Sequence, residues 1–271
     1  MDATERAAHL LRLHRPGEPL LAPNPWDAGS AKLLESLGFS ALCTTSSGAA
    51  ATLGGLDGSM DRDAAVASAG AIAAAVDVPV SADLENGFGD APEEAAETVR
   101  RALAAGLSGG SIEDYSMRPD DPIYPIEQAA ERVAAAAEVA HRGPVHFVLT
   151  ARAENLIRGR VDLADTIRRL QAYQASGADV LYAPGLANLA DIEALVNAVD
   201  RPVNVIVRAD GPTVTELARA GVARISVGGS FTWVALGAVV AAAEELRDEG
   251  TLGFLERAKE GGLVARRAFG G

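Results

Sequence analysis

Two carboxylates, Asp83 and Glu85, stand two residues apart just after the apolar run Val78-Pro79-Val80, and Gly87 and Gly89 follow at once. The run reads as a short buried strand, and at strand period both acids point the same way. The glycines let the chain turn sharply just past them. Neighbouring like charges are costly unless a cation lies between them. An all-oxygen ligand set favours Mg²⁺, Mn²⁺ or Ca²⁺. The same residues also fit a solvated acidic turn, and the rest of the chain has to decide between the two.

Other chemistry-bearing residues fall in comparable places, at the C-terminal ends of apolar runs. They are Asp27, Thr45-Ser46-Ser47, Asp57, Glu113 and Asp114, Arg152 and Glu154, Tyr182, Asn204 and Arg208. Asp77, His141 and Asp200 fall at the opposite ends and read as ordinary surface-loop residues. Clustering at one end favours a metal site over a chance acidic turn.

The elements that must position these residues alternate along the chain. Apolar runs end near residues 22, 45, 83, 114, 152, 182, 207 and 227, and each is followed by a helical stretch. Gly38, Gly106, Gly177 and Gly221 close helices, and Pro92 opens one. Eight strand–helix units with fully apolar strands predict a parallel sheet, and eight is the number that closes a (β/α)₈ TIM barrel. An open doubly wound sheet is the alternative, but no Gly-x-Gly-x-x-Gly follows the first strand. With no linker or composition break, residues 1–271 read as one barrel domain, with a C-terminal helical segment from about residue 232 to 271. Chemistry in such a barrel sits at the C-terminal ends of its strands.

The net charge of −13 argues against nucleic acid as a partner. One cysteine, Cys43, permits neither an internal disulfide nor a thiolate zinc cluster. The N-terminus lacks the basic start and apolar core of a signal peptide, and no run of eighteen apolar residues appears, so no membrane association and a cytoplasmic location are expected.

Five stretches carry a resemblance: residues 23–31 (Pro-Asn-Pro-Trp-Asp-Ala-Gly-Ser-Ala), Leu53-Gly54-Gly55-Leu56-Asp57, residues 83–89 (Asp-Leu-Glu-Asn-Gly-Phe-Gly), Ile112-Glu113-Asp114 and Thr150-Ala151-Arg152. In order and spacing they resemble the isocitrate lyase / phosphoenolpyruvate mutase superfamily over roughly residues 20–235. The resemblance implies a (β/α)₈ barrel whose last helix is often exchanged between subunits, giving a homodimer or homotetramer. It implies Mg²⁺, with Mn²⁺ as a substitute, and a small 2-oxo or 2-hydroxy carboxylate substrate. By position, Asp83 matches the direct metal ligand; Asp57, Glu85 and Glu113 match acids that hold metal-bound water; Arg152 matches a substrate-contacting arginine. Thr45, Ser46 and Ser47 match the small-residue loop whose backbone N–H groups hold the substrate carboxylate. Asn204 is grouped with the substrate-binding residues, and Glu113 and Tyr182 join Arg152 as candidate catalytic groups.

The physical logic agrees, since Mg²⁺ keeps several waters that outer carboxylates orient, and a chelated 2-oxo carboxylate stabilises an enolate. Plainer readings remain beside these: Asp57 as a turn residue or N-cap, Asp114 as a capping acid, Arg152 as an ion-pair partner of Glu154. The sequence departs from the lyases at residues 115–125, where their loop carries Lys-x-Cys-Gly-His and this chain has no cysteine, histidine or lysine. Cys43 lies too early to fill that role. The expected function is an Mg²⁺-dependent enzyme that cleaves or rearranges a C–C or P–C bond of a small carboxylate through a metal-stabilised enolate, with isocitrate lysis itself disfavoured. The alternative is a catalytically silent barrel that binds a small dicarboxylate as a sensor or scaffold.

Overall fold

Short apolar runs alternating with alanine-rich helices produce eight parallel strands in the computed structural model, which describes residues 1–270. The strands are β1 (Leu20–Ala22), β2 (Leu42–Cys43), β3 (Val80–Asp83), β4 (Gly109–Glu113), β5 (Val148–Arg152), β6 (Val180–Tyr182), β7 (Val203–Ile206) and β8 (Arg224–Ser226). The helices are α1 (Ala3–Leu13), α2 (Ala28–Ser36), α3 (Ser46–Thr52), α4 (Arg62–Ala75), α5 (Pro92–Ala104), α6 (Ile126–Arg142), α7 (Leu163–Ala175), α8 (Leu189–Ala198), α9 (Val214–Arg219), α10 (Ser230–Glu244) and α11 (Phe254–Phe269). A π-helical turn, Glu245–Glu249, separates the last two helices.

The strands pair in the order β1-β8-β7-β6-β5-β4-β3-β2, all parallel. Cys43 N–H donates to Pro23 O at 3.1 Å across the remaining seam between β1 and β2. Asn24 strengthens the closure: its Nδ2 donates to Thr44 O, and its Oδ1 accepts from Val227 and Gly228 N–H, each at 2.9 Å. The result is the expected (β/α)₈ barrel.

Two apolar layers hold it. The larger lies between strands and helices and includes Leu84, Ile112, Phe147, Leu149, Leu181, Val203 and Ile225. The smaller fills the barrel's lower interior with Leu20, Ala41, Cys43, Val148 and Val180, and Leu10 of α1 packs against it from below. Cys43 is a buried thiol whose pKa burial raises, and it also reaches the lining of the cavity at the polar mouth.

The interior also carries a polar chain at this level. Arg224 is buried and donates to Asn204 Oδ1 (2.9 Å) and Thr150 Oγ1 (3.1 Å), and its Nη1 lies 3.2 Å from His14 Nε2. An arginine only donates, so His14 Nε2 accepts, and its Nδ1–H goes to Leu10 O at 2.8 Å. Burial first, then the Arg224 charge, pushes the His14 pKa down to about 3.

Two sequence readings change. Ser46 and Ser47, expected in a loop, form the first turn of α3, because Thr45 is an N-cap whose Oγ1 accepts from Gly48 N–H. Asp27, grouped with the polar rim, caps α2 in a reciprocal arrangement with Ser30. The C-terminal segment is helical, as α10 and α11, and it turns at Gly250, in the left-handed region at φ +66°. No helix among the described residues is long and apolar enough to cross a membrane.

Candidate active site

The strand ends β2 to β6 and the segments after them bring most of the singled-out residues to one mouth. A cavity of about 160 Å³ there is walled by Thr45, Ser46, Ser47, Asp57, Asp83, Arg152, Tyr182, Asn204 and Arg224, among others. A second of about 310 Å³ adjoins it, reached by Ser46, Asp57, Glu85, Glu113, Tyr115, Arg152 and Arg158.

Asp83 ends β3, and its main chain is held by Thr44 Oγ1, which accepts from Asp83 N–H at 3.0 Å. Its Oδ2 accepts from Ser46 Oγ (2.9 Å) and more weakly from Ser46 N–H (3.3 Å). Asp57 Oδ1 lies 2.8 Å from the same hydroxyl, so Ser46 stands between two carboxylates. Glu113 ends β4 and Arg152 ends β5, in register with each other. Arg152 Nη1 lies 3.2 Å from Glu113 Oε2 and 3.5 Å from Asp83 Oδ1, while its Nε donates to Glu154. Glu154 is fully buried and its other oxygen faces Arg158 Nε at 3.3 Å. Arg158 in turn lies over the Tyr115 ring, 3.7 Å from its centroid.

Glu85 takes an unusual backbone. Its φ of +48° is left-handed, as are those of Gly87 and Phe88. This turn buries its side chain to 5% exposure and leaves Oε1 with no hydrogen-bond partner. Burial, with the charges of Asp83 and Asp57 added, raises its pKa to about 8. Burial also raises the Glu113 carboxyl well above its ordinary range against the pull of Arg152. Arg152 stays charged: burial opposes this, but Glu113, Glu154 and Asp83 outweigh it. The Tyr182 hydroxyl is driven upward by burial, so it remains a phenol at neutral pH.

Not every singled-out residue belongs to this rim. Asp114 turns away and anchors β4 to α7, accepting from Tyr173 Oη (2.5 Å), Arg169 (3.0 Å) and Glu154 N–H (2.7 Å). Asn204 lines the cavity, but its amide is engaged by Arg224 and Ser226. Arg208 pairs with Asp210 on the surface. Three participants were missed in the sequence: the Ser46 hydroxyl, Arg158 and Arg224. Arg158 had a signal, standing four residues after Glu154; Arg224 had none, because a lone basic residue in an apolar strand does not show which way it points.

The donor chemistry fits a hard dication: carboxylate and hydroxyl oxygens, one orphaned buried carboxylate oxygen at Glu85, and more negative than positive side chains around Arg152. The acids do not close into a tight cage. Among the described residues, the only three potential ligand atoms from His, Cys, Asp or Glu that lie within 4.8 Å of one another are elsewhere. An open arrangement suits Mg²⁺, which keeps several of its waters.

A sequence profile described as phosphoenolpyruvate phosphomutase matches residues 10–247. The chain belongs to the phosphoenolpyruvate mutase / isocitrate lyase superfamily. Among its relatives is the 2-methylisocitrate lyase of Escherichia coli (strain K12), 30% identical over 211 residues, covering 71% of this chain and 70% of that protein. A solved chain from Burkholderia cenocepacia J2315 superposes with a TM-score of 0.90 at 50% identity, covering 94% and 92% of the two chains. A phosphonopyruvate hydrolase solved with oxalate and Mg²⁺ superposes at 0.83 with 26% identity, covering 95% and 91%. The family thus joins lyases with enzymes of phosphonate chemistry, on small carboxylate substrates.

Proposed function

We propose that this protein is an Mg²⁺-dependent enzyme that breaks or rearranges a C–C or P–C bond of a small 2-oxo or 2-hydroxy carboxylate. The observation that carries the reading is Arg152, held among Asp83, Glu113 and Glu154 at the edge of a polar cavity. The Mg²⁺ and oxalate bound by the phosphonopyruvate hydrolase relative support it.

In this reading Asp83 would hold the metal directly, and Asp57, Glu85 and Glu113 would orient the water around it. When bound, Mg²⁺ supplies electrostatic stabilisation of the negative charge that develops on the substrate's oxygen. The chain supplies the rest. The first turn of α3 presents the Ser47 N–H and hydroxyl to the substrate carboxylate, while Ser46 is held by Asp57 and Asp83. Arg152 offers its Nη2, since Glu154 fixes its Nε and Glu113 and Asp83 face its Nη1. Tyr182, 5.2 Å from the Arg152 guanidinium to its ring centroid, is a phenol at neutral pH and is the candidate acid that would protonate the carbon released in a C–C cleavage, while a P–C rearrangement would need no such proton.

The test is turnover of a panel of oxaloacetate, phosphonopyruvate, methylisocitrate and alkylmalates with Mg²⁺, following pyruvate or phosphate release. The reading expects at least one substrate to react, with activity lost in EDTA and in Asp83→Ala. Full activity in either condition would refute it, and tight oxalate binding with no turnover of any substrate would favour a silent dicarboxylate-binding barrel.

A further inference from the structure

At the opposite mouth of the barrel, two histidines and an aspartate meet. His141 lies in the last turn of α6, His146 just before β5, and Asp179 just before β6. His141 Nε2 lies 3.0 Å from Asp179 Oδ2, and His146 Nε2 lies 3.0 Å from Asp179 Oδ1. The two imidazoles stack, centroids 4.3 Å apart and planes within 10°. One ligand atom from each residue lies within 4.8 Å of the other two.

We propose that this cluster is a second cation site, specific for a borderline transition metal of the Zn²⁺ class and separate from the acid rim. Two imidazole nitrogens and one carboxylate are a common zinc ligand set, completed by water. His141-Arg142-Gly143-Pro144-Val145-His146 has the His-x₄-His spacing of many zinc ligand pairs, and the Gly-Pro turn brings both rings to one side. A tetrahedral ion with bonds of about 2.0–2.2 Å needs ligand atoms about 3.4 Å apart, so the 3.0 Å contacts, one to each carboxylate oxygen, have to open slightly and the wider separations, none above 4.8 Å, have to close. The carboxylate is already oriented, because Leu149 N–H donates to Oδ2 at 2.9 Å and the side chain is only 9% exposed. Such an outer hydrogen bond is what fixes a metal-binding carboxylate.

A carboxylate only accepts, so both Nε2 atoms carry the proton in the closed arrangement. Neither ring has another side-chain hydrogen bond among the described residues, so the bonds to Asp179 alone hold that tautomer. Seating the ion moves each proton to Nδ1 and tilts the rings out of parallel, and both side chains, 30% and 42% exposed, have room to move. The ion then ties the end of α6 to the entries of β5 and β6.

The test uses untagged full-length protein, stripped with chelator and held in millimolar Mg²⁺ to fill hard-oxygen sites. Calorimetric titration with Zn²⁺ is expected to give one ion per chain, and Co²⁺ the visible absorption of a tetrahedral nitrogen–oxygen site. His141→Gln and His146→Gln keep a donor for Asp179 but remove the imidazole, and each is expected to weaken binding at least about tenfold. The thermal midpoint should rise by about 5 °C at a hundredfold excess of Zn²⁺ over its dissociation constant. No saturable binding below about 100 µM, or the same Zn²⁺ stoichiometry and affinity in the double Gln variant, would overturn the site. None of these readouts uses turnover, so the outcome is independent of the reaction at the other mouth.

Discussion

Arg152 carries one positive charge against three carboxylates, Asp83, Glu113 and Glu154, two of them almost wholly buried. Removing it leaves those acids uncompensated, and breaking a buried pair from one side costs about 3–5 kcal/mol. Arg152→Met should therefore lower the urea midpoint markedly, and millimolar Mg²⁺ should restore part of the loss by supplying the missing charge. Unchanged stability would mean that the acids take up protons at little cost. His14 gives a second prediction. Its pKa is about 3 in the folded chain, against 6.5 when unfolded, so between those values the unfolded chain binds the extra proton. Stability should fall as pH drops from 6.5 toward 3, by up to about 1.4 kcal/mol per pH unit from this one group. His14→Gln, followed by denaturant unfolding across that range, should flatten the slope. Asp57, Asp83, Glu85, Glu113 and Arg152 could be picked out in the sequence because acids and a base are conspicuous after apolar runs. The His14–Arg224–Asn204 chain inside the barrel could not, because its members sit far apart and single polar residues in strands carry no direction.

The element that does most for the site is the seven-residue helix α3, which aims Ser46 at Asp57 and Asp83. It was read as a loop because small residues with no apolar period give no helix signal; only Thr45, three residues before Gly48, hinted at a cap. Gly48 explains how closely α3 sits. A Cβ there would come within 2.5 Å of Thr232 Oγ1 and 2.6 Å of Thr45 Cγ2. Gly48→Ala should cost about 1–3 kcal/mol by overpacking and should weaken oxalate binding by displacing Ser46, measurable by thermal unfolding and calorimetry on one sample. The eight strand–helix units were legible because each strand is apolar and most helices end at a glycine or begin at a cap. Residues 115–125, where the lyases carry their cysteine, are tied back on themselves instead: Tyr115 bridges Ile123, and Ser116 N–H donates to Pro122 O at 2.8 Å.

At the scale of the whole molecule, one surface is out of keeping with a solitary chain. In α10 only Thr232 is buried, while Trp233, Val234, Leu236, Val239 and Val240 are 45–69% exposed. Leu255, Leu263 and Phe269 of α11 are exposed as well. Apolar side chains on that scale mark a contact surface, and a second copy of the chain is the predicted occupant. Light scattering should report a dimer or larger assembly, which Trp233→Asp with Val239→Asp converts to monomer; a monomeric wild-type protein at micromolar concentration would contradict this. The proposed site depends on a cation shared between acids drawn from separate strands. Oxalate titration into the protein, with and without Mg²⁺, probes that most directly. Oxalate should bind only when Mg²⁺ is present, and Asp83→Ala should abolish the binding. Equal affinity in EDTA, or full affinity in Asp83→Ala, would contradict the account.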